Sequence, residues 1–94
     1  MINRRKRRDS NHQAILDAFK RLGWSVIDTS QLGGSVADCV VAREGRVVAV
    51  EIKTATGKVK PSQAAWLASW QAETAVVRDI GDVIALTRGE VLTT

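Results

Sequence analysis

Asp38, Glu51 and Lys53 are the residues of this chain whose types and spacing suit chemistry. They lie in two short apolar runs, Ala37-Asp38-Cys39-Val40-Val41-Ala42 and Val47-Val48-Ala49-Val50-Glu51-Ile52-Lys53. Between the runs stands Arg43-Glu44-Gly45-Arg46, a hairpin-turn signal with Gly where φ > 0 must be tolerated. With Glu44-Gly45 as a two-residue loop, Arg43 pairs with Arg46 and Ala42 with Val47. The ladder then runs on until Asp38 stands opposite Glu51. Directly opposed residues have Cβ atoms roughly 4.5–5.5 Å apart. Lys53, two residues beyond Glu51, falls on the same face.

Like charges directly opposite one another destabilise a sheet. A divalent cation between them removes the repulsion, and hard oxygen ligands suit Mg²⁺ or Mn²⁺ with water and substrate phosphate completing the shell. Lys53 would then orient or deprotonate a water, or steady charge on a phosphate. The plainer alternative is a surface ion pair of Lys53 with Glu51 or Asp38 at the frayed end of a hairpin. The flanking valines argue against it, because they indicate strands covered on both faces.

An aspartate opening one strand and Glu-x-Lys closing the next resembles the PD-(D/E)XK nuclease core. Here the pattern reads Ala37-Asp38 and Glu51-Ile52-Lys53, with Gly33-Gly34-Ser35-Val36 leading into the aspartate and Gln63 following Pro61-Ser62. That layout is similar to the small stand-alone VRR-NUC nucleases of phages and bacteria, and more distantly to Holliday-junction resolvases. It covers roughly residues 11 to 86. The resemblance implies a three-layer α/β core, with a central mixed sheet flanked by helices. It also implies a metal-dependent endonuclease acting on DNA, structure-selective toward flaps, forks or junctions. Asp38, Glu51 and the Ile52 carbonyl would hold Mg²⁺ or Mn²⁺, Lys53 would serve the attacking water, and Gln63 would reach the site. Gln63 as a surface residue at a helix start is the competing reading.

The first helix departs from this pattern. Many relatives carry a metal-binding glutamate there, whereas Asn11-His12-Gln13-Ala14 contains no acid. His12, the single histidine, is the candidate contributor in its place, as a ligand or through a water. The alternative is an exposed polar residue at a helix start. Ser35 in the loop before Asp38 is either a phosphate contact, as in the resolvases, or a turn residue.

Composition sets the frame around these residues. The chain has 94 residues and a net charge of +4, the length of one small domain. Arg4-Arg5-Lys6-Arg7-Arg8 supplies five of its positive charges, and subtracting five from +4 leaves about −1 for the rest. Residues 1–8 therefore read as a basic, disordered tail and 9–94 as a single domain. Five clustered cations favour salt-sensitive, sequence-independent contact with phosphates. Lys58 and Lys60, in the loop after Lys53, would guide a nucleic-acid backbone past the site. One cysteine, Cys39, cannot form an internal disulfide. With no apolar segment after the basic N-terminus and no run long enough to span a membrane, a cytoplasmic setting is expected, in a bacterium or a phage-infected cell. No Walker loop, zinc-ligand cluster, nucleophile elbow or dinucleotide fingerprint is present.

The elements that must position the trio follow from periodicity. Asp9-Ser10-Asn11 supplies capping residues for a helix whose stripe is Ile15, Ala18, Phe19 and Leu22, ended by Gly23. Trp24 to Asp28 reads as a first strand, the hairpin as the second and third. Pro61 opens a second helix reaching about Ala72. Ala75 to Arg78 reads as a short fourth strand, and Asp79 starts a last helix through Leu86. The order is α-β-β-β-α-β-α. Trp66 and Trp70 share a helical face with Gln63 and serve the core or a dimer interface, with base stacking as the lesser reading. A homodimer is expected, because so small a domain gains both core and footprint by pairing. Two other functions compete with the nuclease: a non-catalytic nucleic-acid-binding module of the same fold, and a structural dimerisation protein.

Overall fold

A computed structural model describes residues 11–92. Arg4, Arg5, Lys6, Arg7 and Arg8, together with Asp9 and Ser10, lie outside them. The elements are α1 (His12–Arg21), β1 (Ser25–Asp28), β2 (Cys39–Arg43), β3 (Arg46–Ile52), α2 (Pro61–Ser69), β4 (Glu73–Val77) and α3 (Ile80–Thr87). This is the order expected from the sequence. The strands form one mixed sheet in the order β1-β2-β3-β4. β1, β2 and β3 are antiparallel neighbours, and β4 runs parallel to β3.

Local chemistry explains where α1 stops. Gly23 takes φ of 91°, and its N–H donates to the Lys20 carbonyl while the Trp24 N–H donates to that of Phe19. This is a Schellman ending, and its usual apolar clasp is present as Phe19 edge-on to Trp24, centroids 5.6 Å apart. The helix start differs from expectation. Asn11 occupies the N-cap position but makes no side-chain cap, because its amide is committed to distant backbone carbonyls described below.

The hairpin turn adopts the two-residue form. Glu44 and Gly45 have φ of 51° and 81°, the left-handed pair of a type I′ turn. Glutamate tolerates that conformation poorly. Glu44→Asn is expected to stabilise the domain by about 0.5–1 kcal/mol, read from urea midpoints at unchanged m-value. Its exposed ion pair with Arg43 at 2.9 Å contributes too little to reverse the sign.

Two cores lie on opposite faces of the sheet. On one, Ile15, Phe19, Val41, Val48, Val50, Ile52, Val77, Val83 and Leu86 pack together under α1 and α3. On the other, Leu67 of α2 packs on Ala37, Ala49 and Val76, with Trp66 and Trp70 alongside. The expectation of central strands covered on both sides therefore holds for β3 from Val48 to Ile52. Coverage on the α2 side is incomplete, and Ile27 and Val47 stay 65% and 43% exposed.

Two boundaries differ from the sequence reading by two residues or more. α2 ends at Ser69 and not near Ala72. Trp70 turns to extended backbone there, and its ring stacks on Trp66 at 5.4 Å. β4 begins at Glu73, two residues early. Arg46 explains this, since its guanidinium grips both Glu73 carboxylate oxygens, at 2.7 and 2.6 Å. The same group donates to the carbonyls of Leu86 and Glu90 and lies over the Trp24 ring at 5.7 Å. One side chain so fastens the starts of β3 and β4 to the end of α3. Among the described residues no helix is long and apolar enough to cross a membrane.

Candidate active site

The register of the hairpin builds the site. Arg43 pairs with Arg46, and the ladder continues through Cys39 opposite Val50. The next position places Asp38 against Glu51, as the turn requires. Asp38 stands just before β2, and the ladder closes there through its side chain, with the Ile52 N–H donating to Asp38 Oδ2 at 2.8 Å. The Thr29 N–H holds the Asp38 carbonyl at 2.9 Å, and the Thr29 hydroxyl holds that of Ala37 at 2.6 Å. The aspartate is thereby fixed from both neighbouring strands.

Val48, Val50 and Ile52 belong to the α1/α3 core and Ala49 to the α2 core. Strand alternation places Glu51 and Lys53 on the α2 side. The parallel strand β4 lies beyond β3, with Glu51 opposite Val76, and the Lys53 N–H continues that ladder to the Val77 carbonyl at 3.0 Å. Glu51 is only 2% exposed. The Lys53 ammonium lies 3.6 Å from Glu51 Oε2.

Burial has an electrostatic consequence. The Glu51 carboxyl is pushed up to about 7, first by loss of solvent and then by the Asp38 charge, with Lys53 pulling the other way. One lysine does not balance two opposed carboxylates at this depth. Burial, and after it the charges of Asp38, Asp28 and Glu51, likewise push the Cys39 thiol up. Cys39 remains a protonated core residue and not a nucleophile.

This donor set fits a hard divalent cation: two facing carboxylates, one held in place by a backbone N–H and the other disfavoured as an anion until positive charge arrives. Among the described residues no three His, Cys, Asp or Glu side chains gather as a metal cluster. The rest of a coordination shell would come from a backbone carbonyl such as that of Ile52, water and substrate oxygens.

The other sequence candidates fall in different places. Gln63 turns its Oε1 back onto its own helix, accepting the Lys60 N–H at 2.9 Å, so its carbonyl caps α2. His12 is not an exposed helix-start residue. It is 2% exposed, with Nε2 3.6 Å from Asp28 Oδ1. Ser35 is half-buried in the loop before Asp38, and Lys58 and Lys60 are exposed in the loop after Lys53.

Two supporting residues escaped the sequence reading. The Asn11 amide donates to the Lys53 carbonyl at 3.2 Å and the Arg78 carbonyl at 2.8 Å, tying the start of α1 to the ends of β3 and β4. Arg78 donates to the carbonyls of Thr54 and Gly57, at 2.7 and 2.6 Å, and shapes the loop that leaves Lys53. Nothing local announces either contact, since the partners are far apart in sequence. The only signal was a polar Asn and an Arg at element ends.

Neither the protein-family models nor the curated proteins give a match to this chain. Among solved structures, one described as a VRR_NUC domain superposes with a TM-score of 0.68. The alignment covers 85% of this chain and 97% of the other, at 22% sequence identity. The chain thus has a VRR-NUC-like fold, a four-stranded mixed sheet with three helices.

Proposed function

We propose that this protein is a divalent-metal-dependent endonuclease that hydrolyses phosphodiester bonds in DNA, with preference for flaps, forks or junctions. The observation that carries the reading is the convergence of Asp38, Glu51 and Lys53 on one face at the end of the sheet. A Mg²⁺ or Mn²⁺ ion held by Asp38, Glu51 and the Ile52 carbonyl would supply Lewis-acid charge to the phosphate oxygens. Lys53 orients the attacking water or steadies the phosphate from the position it holds beside Glu51. Arg78 and Asn11 keep the Lys53 backbone in register with both carboxylates. Incubating purified protein with flap, fork, four-way-junction and single-stranded DNA, with Mn²⁺ and with EDTA, tests the reading. Metal-dependent cleavage is expected, and intact DNA throughout at high enzyme concentration would overturn it.

A second reading has its own support. The first turn of α1 carries no acidic residue, and the Gln63 carbonyl is spent on a cap. Both favour a non-catalytic module that binds nucleic acid with the nuclease fold. It predicts DNA binding unchanged by Asp38→Asn and Glu51→Gln, with no cleavage by the parent protein.

In the leading reading, the protein works in the cytoplasm of a bacterium or phage-infected cell as a two-fold homodimer. Trp66 and Trp70 lie at or near the interface, and the incompletely covered sheet face around Ile27 and Val47 supplies further apolar area. A monomer by light scattering at tens of micromolar, roughly the range of weak dimers, would reject the dimer. Arg4, Arg5, Lys6, Arg7 and Arg8, with Lys58, Lys60 and Ser35, contact the nucleic-acid backbone. Deleting residues 1–8 should lower DNA affinity and flatten the slope of log affinity against log salt, because fewer counterions are released. An unchanged slope would remove the tail from the reading.

A further inference from the structure

The start of α1 contains two polar atoms that the fold buries without satisfying. Among the described residues, His12 Nε2 and Asn11 Oδ1 are both shielded from solvent and have no hydrogen-bond partner. Such atoms are rare in folded proteins, and an ion or water is a common reason for them. His12 is 2% exposed, and its Nε2 stands 3.6 Å from Asp28 Oδ1. That gap is too long for a hydrogen bond. Two ligands each about 2.1 Å from one tetrahedral centre stand roughly 3.4 Å apart, close to what is seen.

We propose that His12 Nε2 and the Asp28 carboxylate form a divalent-cation site of their own, on the α1 side of the sheet. Asp28 pairs with Cys39, a residue of the α1/α3 core, so it faces away from the side that carries Glu51. Its orientation is set in advance. Asp28 Oδ1 accepts from the Ser30 N–H at 3.0 Å and the Ser30 hydroxyl at 2.7 Å, and Ser30 is itself buried. Hydrogen bonds of this kind hold a ligating carboxylate in place. One imidazole and one carboxylate suit Zn²⁺ or Mn²⁺ better than Mg²⁺ or Ca²⁺. The Asp28 side chain is 32% exposed, which gives water access to complete the shell.

Two protein ligands make a weak site. Its occupancy would clamp the first turn of α1 to the end of β1. Asn11 precedes His12 and holds the Lys53 carbonyl, so the clamp steadies the backbone of the lysine on the other face. The inference does not depend on the nuclease reading.

The chain contains one histidine, so its imidazole nitrogen signals are unambiguous by NMR. Zn²⁺ is titrated into the wild type and into the double variant Asp38→Asn/Glu51→Gln, which removes the carboxylate pair. A saturable shift of Nε2 is expected in both, weakened at least tenfold by Asp28→Asn and unchanged by Asp17→Asn, a change at an exposed acid of the same helix. No shift across the millimolar range, a shift at Nδ1, or an equal response in folded Asp28→Asn would overturn the site. If Asp28→Asn does not fold, Ser30→Ala serves instead, with a several-fold weakening expected and an unchanged affinity counting against the site. Cleavage of DNA without an Nε2 shift removes this site and leaves the nuclease reading intact. A saturable shift without cleavage does the reverse.

Discussion

Lys53→Ala is expected to lower cleavage by about 10²–10⁴-fold, the scale of a positioned proton-transfer or charge-stabilising group, while Mn²⁺ affinity stays within a few-fold of the parent. The ammonium lies beside Glu51 at 3.6 Å but is a cation, so it cannot be a ligand. Removing it leaves Asp38 in place, because that carboxylate is held by the Ile52 N–H. Glu51→Ala should show the opposite division, with metal affinity falling together with activity. Calorimetric Mn²⁺ titration of the two variants beside single-turnover cleavage separates the roles. Equal loss of metal affinity in both, or full activity in Lys53→Ala, would contradict the assignment.

Glu51→Gln should abolish cleavage and yet make the metal-free protein more stable at neutral and alkaline pH. The sign follows from the raised carboxyl. The ordinary value is 4.5, and in the folded chain it is pushed up to about 7, chiefly by burial and next by Asp38. The folded state therefore keeps a proton that the unfolded chain releases between those values. The stability this group contributes is fully present below about pH 4.5 and is lost as pH rises through 7. Glutamine cannot ionise and escapes that loss. At pH 8 in EDTA the variant should gain about 1–2 kcal/mol, on the order of 5–10 °C in Tm for a domain this size. Near pH 4.5 the advantage should shrink toward zero. Added Mn²⁺ should raise the Tm of the parent more than that of the variant, which lacks the Glu51 carboxylate. A metal-free variant less stable than the parent at pH 8 would mean that the Lys53–Glu51 pair outweighs the cost of burying the charge.

The juxtaposition of Asp38, Glu51 and Lys53 was legible because it rests on short-range rules. A two-residue turn with Gly45 in the left-handed region sets the register, and the strand period of two carries it five pairs along to Asp38 and Glu51. The end of α1 was legible for the same reason, since Gly23 acts within one turn of the residues it caps. The fold class followed from element order and from apolar strands that need cover on both faces. The helix and strand ends that moved did so under side chains meeting across space. Arg46 draws Glu73 into β4, and the stacked Trp66 and Trp70 accompany the early end of α2.

The sequence by itself determined which carboxylates face each other and which lysine accompanies them, because turn geometry and strand period act between neighbours. Only the tertiary structure decided how deep Glu51 lies, and hence its raised carboxyl, since β4 comes to lie beside it only in the folded sheet. Only the tertiary structure sent the Asn11 amide to carbonyls 42 and 67 residues away and set His12 against Asp28. Contacts of that range leave no periodic trace in the chain, because they depend on how packed layers meet and not on spacing along one element.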